Sequence, residues 1–191
     1  MLDEIRLAVT VSERQRNLTA LDAAAQRVQS LKTTIARKRH VETLLRSEHG
    51  TKLAVASLYK LFEVVESILT AGQTPADPIQ FGFSKKHPNT LYVNTIHGMH
   101  LALHATNVSS NSVASTRLAM KIFRRHWDQF DQPTSDLVSL LDTEFKPSFG
   151  DGDQVVWIGA DSTPRDAEQL AGFVVDVFVD RVHRAIDENA N

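Results

Sequence analysis

The stretch LYVNTIHGMHLALHAT, Leu91–Thr106, decides the fold of this 191-residue chain, because it can be read with two different periods. From Met99 onward the odd positions Met99, Leu101, Leu103 and Ala105 are apolar and alternate with His100, Ala102, His104 and Thr106, the period-2 pattern of a half-buried strand. Tyr92, Ile96, Met99 and Leu103 also fall on one helical face, with His97, His100 and His104 beside them. The choice sets the chemistry. On a helix His100 and His104 lie one turn apart and can share a metal ion. On a strand they face the same way but stand about 13 Å apart, four residues at roughly 3.3 Å each. Gly98 costs a helix about 1 kcal/mol relative to Ala, the Asn94-Thr95 pair favours other conformations, and Leu91-Tyr92-Val93 is a good strand opening. Strand is therefore the preferred reading, with Gly98 marking either a bulge in one long strand or the bend of a hairpin.

Towards the carboxy terminus, Asn107–Ser112 (NVSSNS) is a polar turn, and Thr116–Phe123 alternates again, with Leu118, Met120 and Ile122 opposed by Ala119, Lys121 and Phe123. A polar loop, DQFDQPTSD, follows at Asp128–Asp136. Leu137, Leu140, Leu141 and Phe145 have the spacing of a short helix, although Thr143–Phe149 can extend as a strand. Gly150-Asp151-Gly152 is a turn signal before the strand QVVWI, Gln154–Ile158. Thr163 reads as an N-cap with Pro164 at the first helical position and Asp166 three residues after the cap, opening a final helix to about Asp187. Leu170, Phe173, Val174, Val177, Phe178, Val179, Val182 and Ile186 cover more than half of its circumference, so a sheet alone cannot bury it. Either helix 51–71 or a second subunit must cover the rest.

Towards the amino terminus, Ile79–Ser84 (IQFGFS) reads as a short strand and Lys85–Asn89 as a turn, preceded by the linker QTPADP at Gln73–Pro78. Thr51–Ala71 is a helix with a broad apolar face: Leu53, Ala54, Leu58, Leu61, Phe62, Val64, Val65, Ile68 and Leu69. Such breadth implies more than one neighbouring helix. Ser12–Ser47 lacks proline and glycine and predicts one long helix, with Ser12 as N-cap and Gly50 as the stop. Its seam, Leu18, Leu21, Ala25, Val28, Leu31 and Ile35, is thin, steps by threes and fours, and then loses Lys38 and Glu42 to polarity. That suits a coiled-coil or antiparallel helix contact. The fold class expected is α+β: a coiled-coil-like helical arm at 1–72, then an antiparallel sheet of about four to five strands at 73–191, packed by a long C-terminal helix.

Composition bounds the function. A hydrophobic share of 42% and a charged share of 23% are those of a globular protein. The absence of cysteine excludes disulfides, thiolate metal sites and cysteine nucleophiles. Acids at Asp3 and Glu4 and the lack of a long apolar core argue against a secretory signal, and the charges at Lys52, Lys60, Glu63 and Glu66 argue against a membrane span. A soluble, cytoplasmic protein without a membrane partner is expected. Residues 1–60 hold 11 Lys and Arg against 6 Asp and Glu, whereas 148–191 hold 3 against 9. Complementary packing of the terminal helices is preferred over a nucleic-acid arm.

The chemistry-bearing candidates are Tyr92, His97, His100 and His104 as a ligand-binding group, since imidazole binds metals and moves protons near neutral pH. No HExxH is present and no acid lies inside the cluster, so no catalytic residue, metal site or cofactor is assigned, and exposed sheet histidines without chemistry are the bland alternative. Asp151 and Asp153, with Asp142 and Glu144, lack the rest of a calcium loop and read as a solvated turn. The run Arg37-Lys38-Arg39-His40 spreads around a helical turn with no aromatic interleaving. G-x-S-x-G, Walker and G-x-G-x-x-G motifs are absent, and Trp127 and Trp157 read as core or interface anchors. The expected function is a non-catalytic binding or assembly protein that self-associates through helices into a homo-oligomer, most simply a dimer, or docks a protein partner. The alternative is a small-ligand receptor or enzyme with a histidine-lined cavity between sheet and helix. A second alternative is nucleic-acid or regulator binding through the basic helix 12–48.

Overall fold

The computed structural model describes residues 2–71, 73, 79–108, 112–127 and 133–189. Most of the linker Gln73–Pro78, with Pro75 and Pro78, lies outside the described residues, as do 109–111 of the polar turn, 128–132 of the following loop and the side chain of Trp127. The chain divides into two units, Met1–Thr43 and Leu44–Asn191.

The first unit belongs to α1 (Leu2–Leu45), a 44-residue helix that begins before Ser12 and passes through it without a cap. No residue from 2 to 45 is glycine or proline, so nothing in the backbone interrupts it. Along it Leu21, Val28, Leu31 and Ile35 are 65%, 51%, 62% and 51% exposed. The basic run Arg37–Arg39 is exposed as well.

In the second unit α2 (Glu48–Thr70) starts three residues after α1 ends, capped by Ser47, whose Oγ accepts from Gly50 N at 3.0 Å. Gly50 is thus not the stop that the sequence suggests but a buried residue in the first turn of α2. A Cβ there would lie 2.0 Å from the Leu44 carbonyl oxygen, so only glycine lets the chain fold back this tightly.

Seven strands follow: β1 (Phe81–His87), β2 (Thr90–Thr95), β3 (Met99–Thr106), β4 (Arg117–Trp127), β5 (Pro133–Phe149), β6 (Val155–Ile158) and β7 (Pro164–Arg165). They pair antiparallel in chain order as one sheet, curled into a half-barrel. The α+β architecture holds, with seven strands in place of four to five. Leu91–Thr106 is a hairpin: Thr90–Asn94 pairs with His100–His104, and Gly98 sits at φ 73° in the bend, where its N–H donates to Thr95 O. Leu137–Phe145 is strand, not helix, within the 17-residue β5. Ile122 pairs with Leu141 but Phe123 with Ser139, so Leu140 is an extra residue that shifts the apolar phase by one and imitates helical spacing.

Alternation aims Leu91, Val93, Leu101, Leu103, Leu118, Met120 and Ile122 at the helices, all at 0% exposure. Opposite them α3 (Ala167–Asn189) brings Leu170, Val174, Phe178 and Val182, also at 0%. Phe178 meets Phe81 at 6.1 Å between ring centroids, and Phe173 meets Phe145 edge-on at 6.2 Å. The circumference of α3 that the sheet leaves open packs on α2. Trp157, 1% exposed, is the anchor expected of it, and its Nε1 donates to Ser57 Oγ at 3.1 Å. The cap of α3 is Asp166, not Thr163: Asp166 Oδ1 accepts from Gln169 N at 2.8 Å and Gln169 Oε1 accepts from Asp166 N at 3.1 Å, a reciprocal capping box. Pro164 and Arg165 are taken instead by pairing with β6. Among the described residues no helix is long and apolar enough to cross a membrane.

Substituting Gly50→Ala is expected to lower unfolding stability by about 2–3 kcal/mol, since the backbone must open to admit the methyl group. A urea titration of the variant with an unchanged midpoint would refute the close approach.

Candidate functional site

The residues that alternate with the core define the open face of the sheet, away from α2 and α3. Strand register arranges them in cross-strand rows: Asn94, His100 and Phe123; then Tyr92, Ala102, Lys121 and Asp142; then Thr90, His104, Ala119 and Glu144. Tyr92, His100 and His104 therefore share this face, with Tyr92 in the row between the two histidines and 39% exposed. His97 is not among them; it lies in the bend before Gly98.

Each strand histidine is held by its neighbour across β2. His104 Nδ1 lies 2.7 Å from Thr90 Oγ1, and Thr90 is 1% exposed. His100 Nδ1 lies 2.6 Å from Asn94 Oδ1. An amide oxygen only accepts, so His100 Nδ1 carries the proton and donates. On one extended strand the two rings stand about 13 Å apart. Among the described residues no group of three His, Asp or Glu side chains is placed to hold a metal ion. In the central row Lys121 Nζ donates to Asp142 Oδ2 at 2.7 Å, an exposed pair contributing less than about 1 kcal/mol. Asp151 and Asp153 flank Gly152 in a single 3-10 turn, where Gly152 takes φ 63° and Asp153 φ 59°.

Two features were hidden from sequence reasoning. The first is an open groove of about 460 Å³ beside Ser57, Lys60, Asp153, Asp166 and Glu168. Its charges are committed to one another: Lys60 Nζ lies 2.6 Å from Glu168 Oε1, which holds the ammonium above its ordinary pKa, and Asp166 caps α3. These residues are far apart in the chain, and no spacing signals their meeting. The second feature lies at the bend end of the open face. Among the described residues, His100 Nε2 and Arg125 Nε are both buried without a hydrogen-bond partner. Burial, and then the nearby Arg125 charge, hold the His100 pKa below its ordinary 6.5. Arg125 is two residues beyond Phe123 on the same strand and its N–H donates to Gly98 O at 2.9 Å, which places it beside the bend. Parity could have joined Asn94 to Tyr92, but nothing local in the sequence couples residue 125 to residue 100.

Comparison of the chain with protein-family models, with curated proteins and with solved structures finds no match.

The lowered His100 pKa has a signed consequence. Below about pH 6.5 the unfolded chain takes up a proton at His100 that the folded chain refuses, so the folded state loses stability as pH falls from there towards the folded pKa. His100→Gln, which cannot titrate, is expected to flatten this part of the stability–pH profile. Parallel wild-type and variant profiles between pH 7 and about 5 would contradict it.

Proposed function

We propose that this chain is a non-catalytic assembly protein that joins copies of itself through α1. The observation that carries the reading is the exposed seam Leu21, Val28, Leu31 and Ile35 on a 44-residue helix. Isolated helices gain most of their stability from burying an apolar stripe, and four large apolar side chains more than half exposed at steps of seven, three and four are an unfilled helix contact. A thin stripe of this kind matches another helix better than a groove, and a second copy of α1 supplies the same stripe.

Charge selects the orientation. In a parallel pair the runs Arg37-Lys38-Arg39 of both copies meet at one level and repel. In an antiparallel pair centred near Val28, Leu21 faces the region of Ile35 in the partner, and the two Lys38 residues stand about 30 Å apart along the axis, 20 residues at 1.5 Å. The receptor reading, which needs a cavity between sheet and helix, has less support, because that space is filled by side chains at 0% exposure.

Light scattering coupled to size exclusion tests the assembly. The wild type is expected at a multiple of 21.3 kDa and the Val28→Asp, Leu31→Asp double variant at 21.3 kDa, with the sheet's circular dichroism unchanged. A wild type that stays monomeric at high micromolar concentration sinks the reading. Because the chain has no cysteine, single-cysteine variants report orientation directly. A short bismaleimide is expected to join Leu21→Cys to Ile35→Cys in a mixture but not Leu21→Cys to itself, the latter pair standing about 21 Å apart.

A further inference from the structure

At the bend end of the open sheet face His100 and Arg125 lie in neighbouring rows, each with a buried nitrogen that has no hydrogen-bond partner among the described residues, and the geometry points to a binding site for an oxyanion, a carboxylate or phosphate group held between Arg125 and His100. Arg125 carries a permanent positive charge, yet among the described residues it has no acidic partner, and its Nε is buried with no acceptor. Buried donors in folded proteins are nearly always satisfied, by protein, water or ligand, so this guanidinium nitrogen calls for an acceptor. His100 is the second orphan. Its Nδ1–H is committed to Asn94 Oδ1, so the ring's remaining freedom lies at Nε2, which in the neutral ring is a lone pair beside a cation. In the neutral ring Nε2 can only accept, so it donates to a ligand oxygen only once the ring is protonated.

An oxyanion resolves both vacancies together. One oxygen accepts from Arg125 Nε. As negative charge arrives, His100 takes one proton from solvent onto Nε2 and donates it to a second oxygen, so the bound state holds two charge-assisted hydrogen bonds. Lys121 and Asp142, a charged pair on this face, neutralise each other and leave Arg125 as the source of attraction. Phe123, across from His100, and the exposed Ile96 and Leu137, beside the bend and across from Arg125, give the ligand an apolar shoulder. The ligand class that fits is therefore a small oxyanion with an apolar substituent. No residue of the site belongs to α1, so its failure and the failure of self-association are distinguishable.

The test follows the His100 ring by NMR, its signal identified by its loss in His100→Gln, while inorganic phosphate, acetate or benzoate is added against sodium chloride at equal ionic strength. At least one oxyanion is expected to move the His100 titration up by about one pH unit, with tighter binding as pH falls. A response to phosphate alone, or to the carboxylates with benzoate ahead of acetate, identifies which oxyanion the site takes. Arg125→Gln is expected to abolish the response. Arg125→Lys, which keeps the charge but lacks Nε and so serves even if the first variant folds poorly, is expected to weaken it several-fold. No response to any of the three beyond that of chloride, or an undiminished response in both Arg125 variants, overturns the proposal.

Discussion

The apolar layer between the sheet and the α2–α3 pair is the constraint on which Leu44–Asn191 depends. A seven-stranded meander offers one face to be buried, and each fully buried Leu, Val, Met or Phe contributes about 1.5–3 kcal/mol against a backbone ordering cost of about 1–2 kcal/mol per residue. Only residues at 0% exposure repay that cost well, and they sit where strand alternation and the inner stripes of α2 and α3 coincide. The helix α3 shows how far packing outranks propensity. Its Val174, Val175, Val177, Val179 and Val182 are poor helix formers, yet the element runs 23 residues because the sheet and α2 enclose it from two sides.

The same constraint fixes the open face without selecting for it. Once Leu101 and Leu103 are committed inward, His100 and His104 must point outward, and the register of β2 then brings Asn94 and Thr90 to them. Polar side chains on that face are consequently paired across strands and not along them. This keeps the two imidazoles apart and gives each its own hydroxyl or amide neighbour. Arg125 escapes the scheme because β4 continues past the start of β3 at Met99, so that Gly98, which has no side chain, lies beside it.

Much of this was legible in the chain, and the exceptions have physical causes. Wherever a strict period of two runs through apolar residues, as at Met99–Ala105 and Leu118–Ile122, strand and facing were readable, and so was the sharing of one face by Tyr92, His100 and His104. The broad faces of α2 and α3 announced partners beyond one sheet or one helix, and of the two that the sequence left open for α3, helix or second subunit, it is α2 that packs on it. Leu137–Phe145 misled because the bulge at Leu140 breaks the period that identifies a strand. Gly50 misled because a glycine demanded by tertiary closeness looks the same, in one dimension, as one that ends a helix. Thr163 lost the cap to Asp166 because Pro164 and Arg165 found a strand partner, a competition that no local signal weighs. Arg125 was invisible as a site residue for the same reason: its relation to His100 exists only after the hairpin closes.

The two edges of the sheet bear on how copies of the chain can meet. An antiparallel sheet with open edges can grow by adding strands, and both edges here are blunted against it. β1 carries a register irregularity between Ser84 and His87, and its Lys85 is tied to Glu66 of α2 at 2.7 Å, so a docking strand would meet charge and a broken hydrogen-bond ladder. β7 is two residues long and one of them is Pro164, which has no N–H to offer. The centre of the open face presents the Lys121–Asp142 pair and small side chains at Ala102 and Ala119, and its exposed apolar side chains Ile96 and Leu137 are gathered at the bend end. With both edges blunted, α1 is left as the element whose apolar side chains stand exposed at helical spacing, which is why the proposed self-association is placed on helices and not on strands.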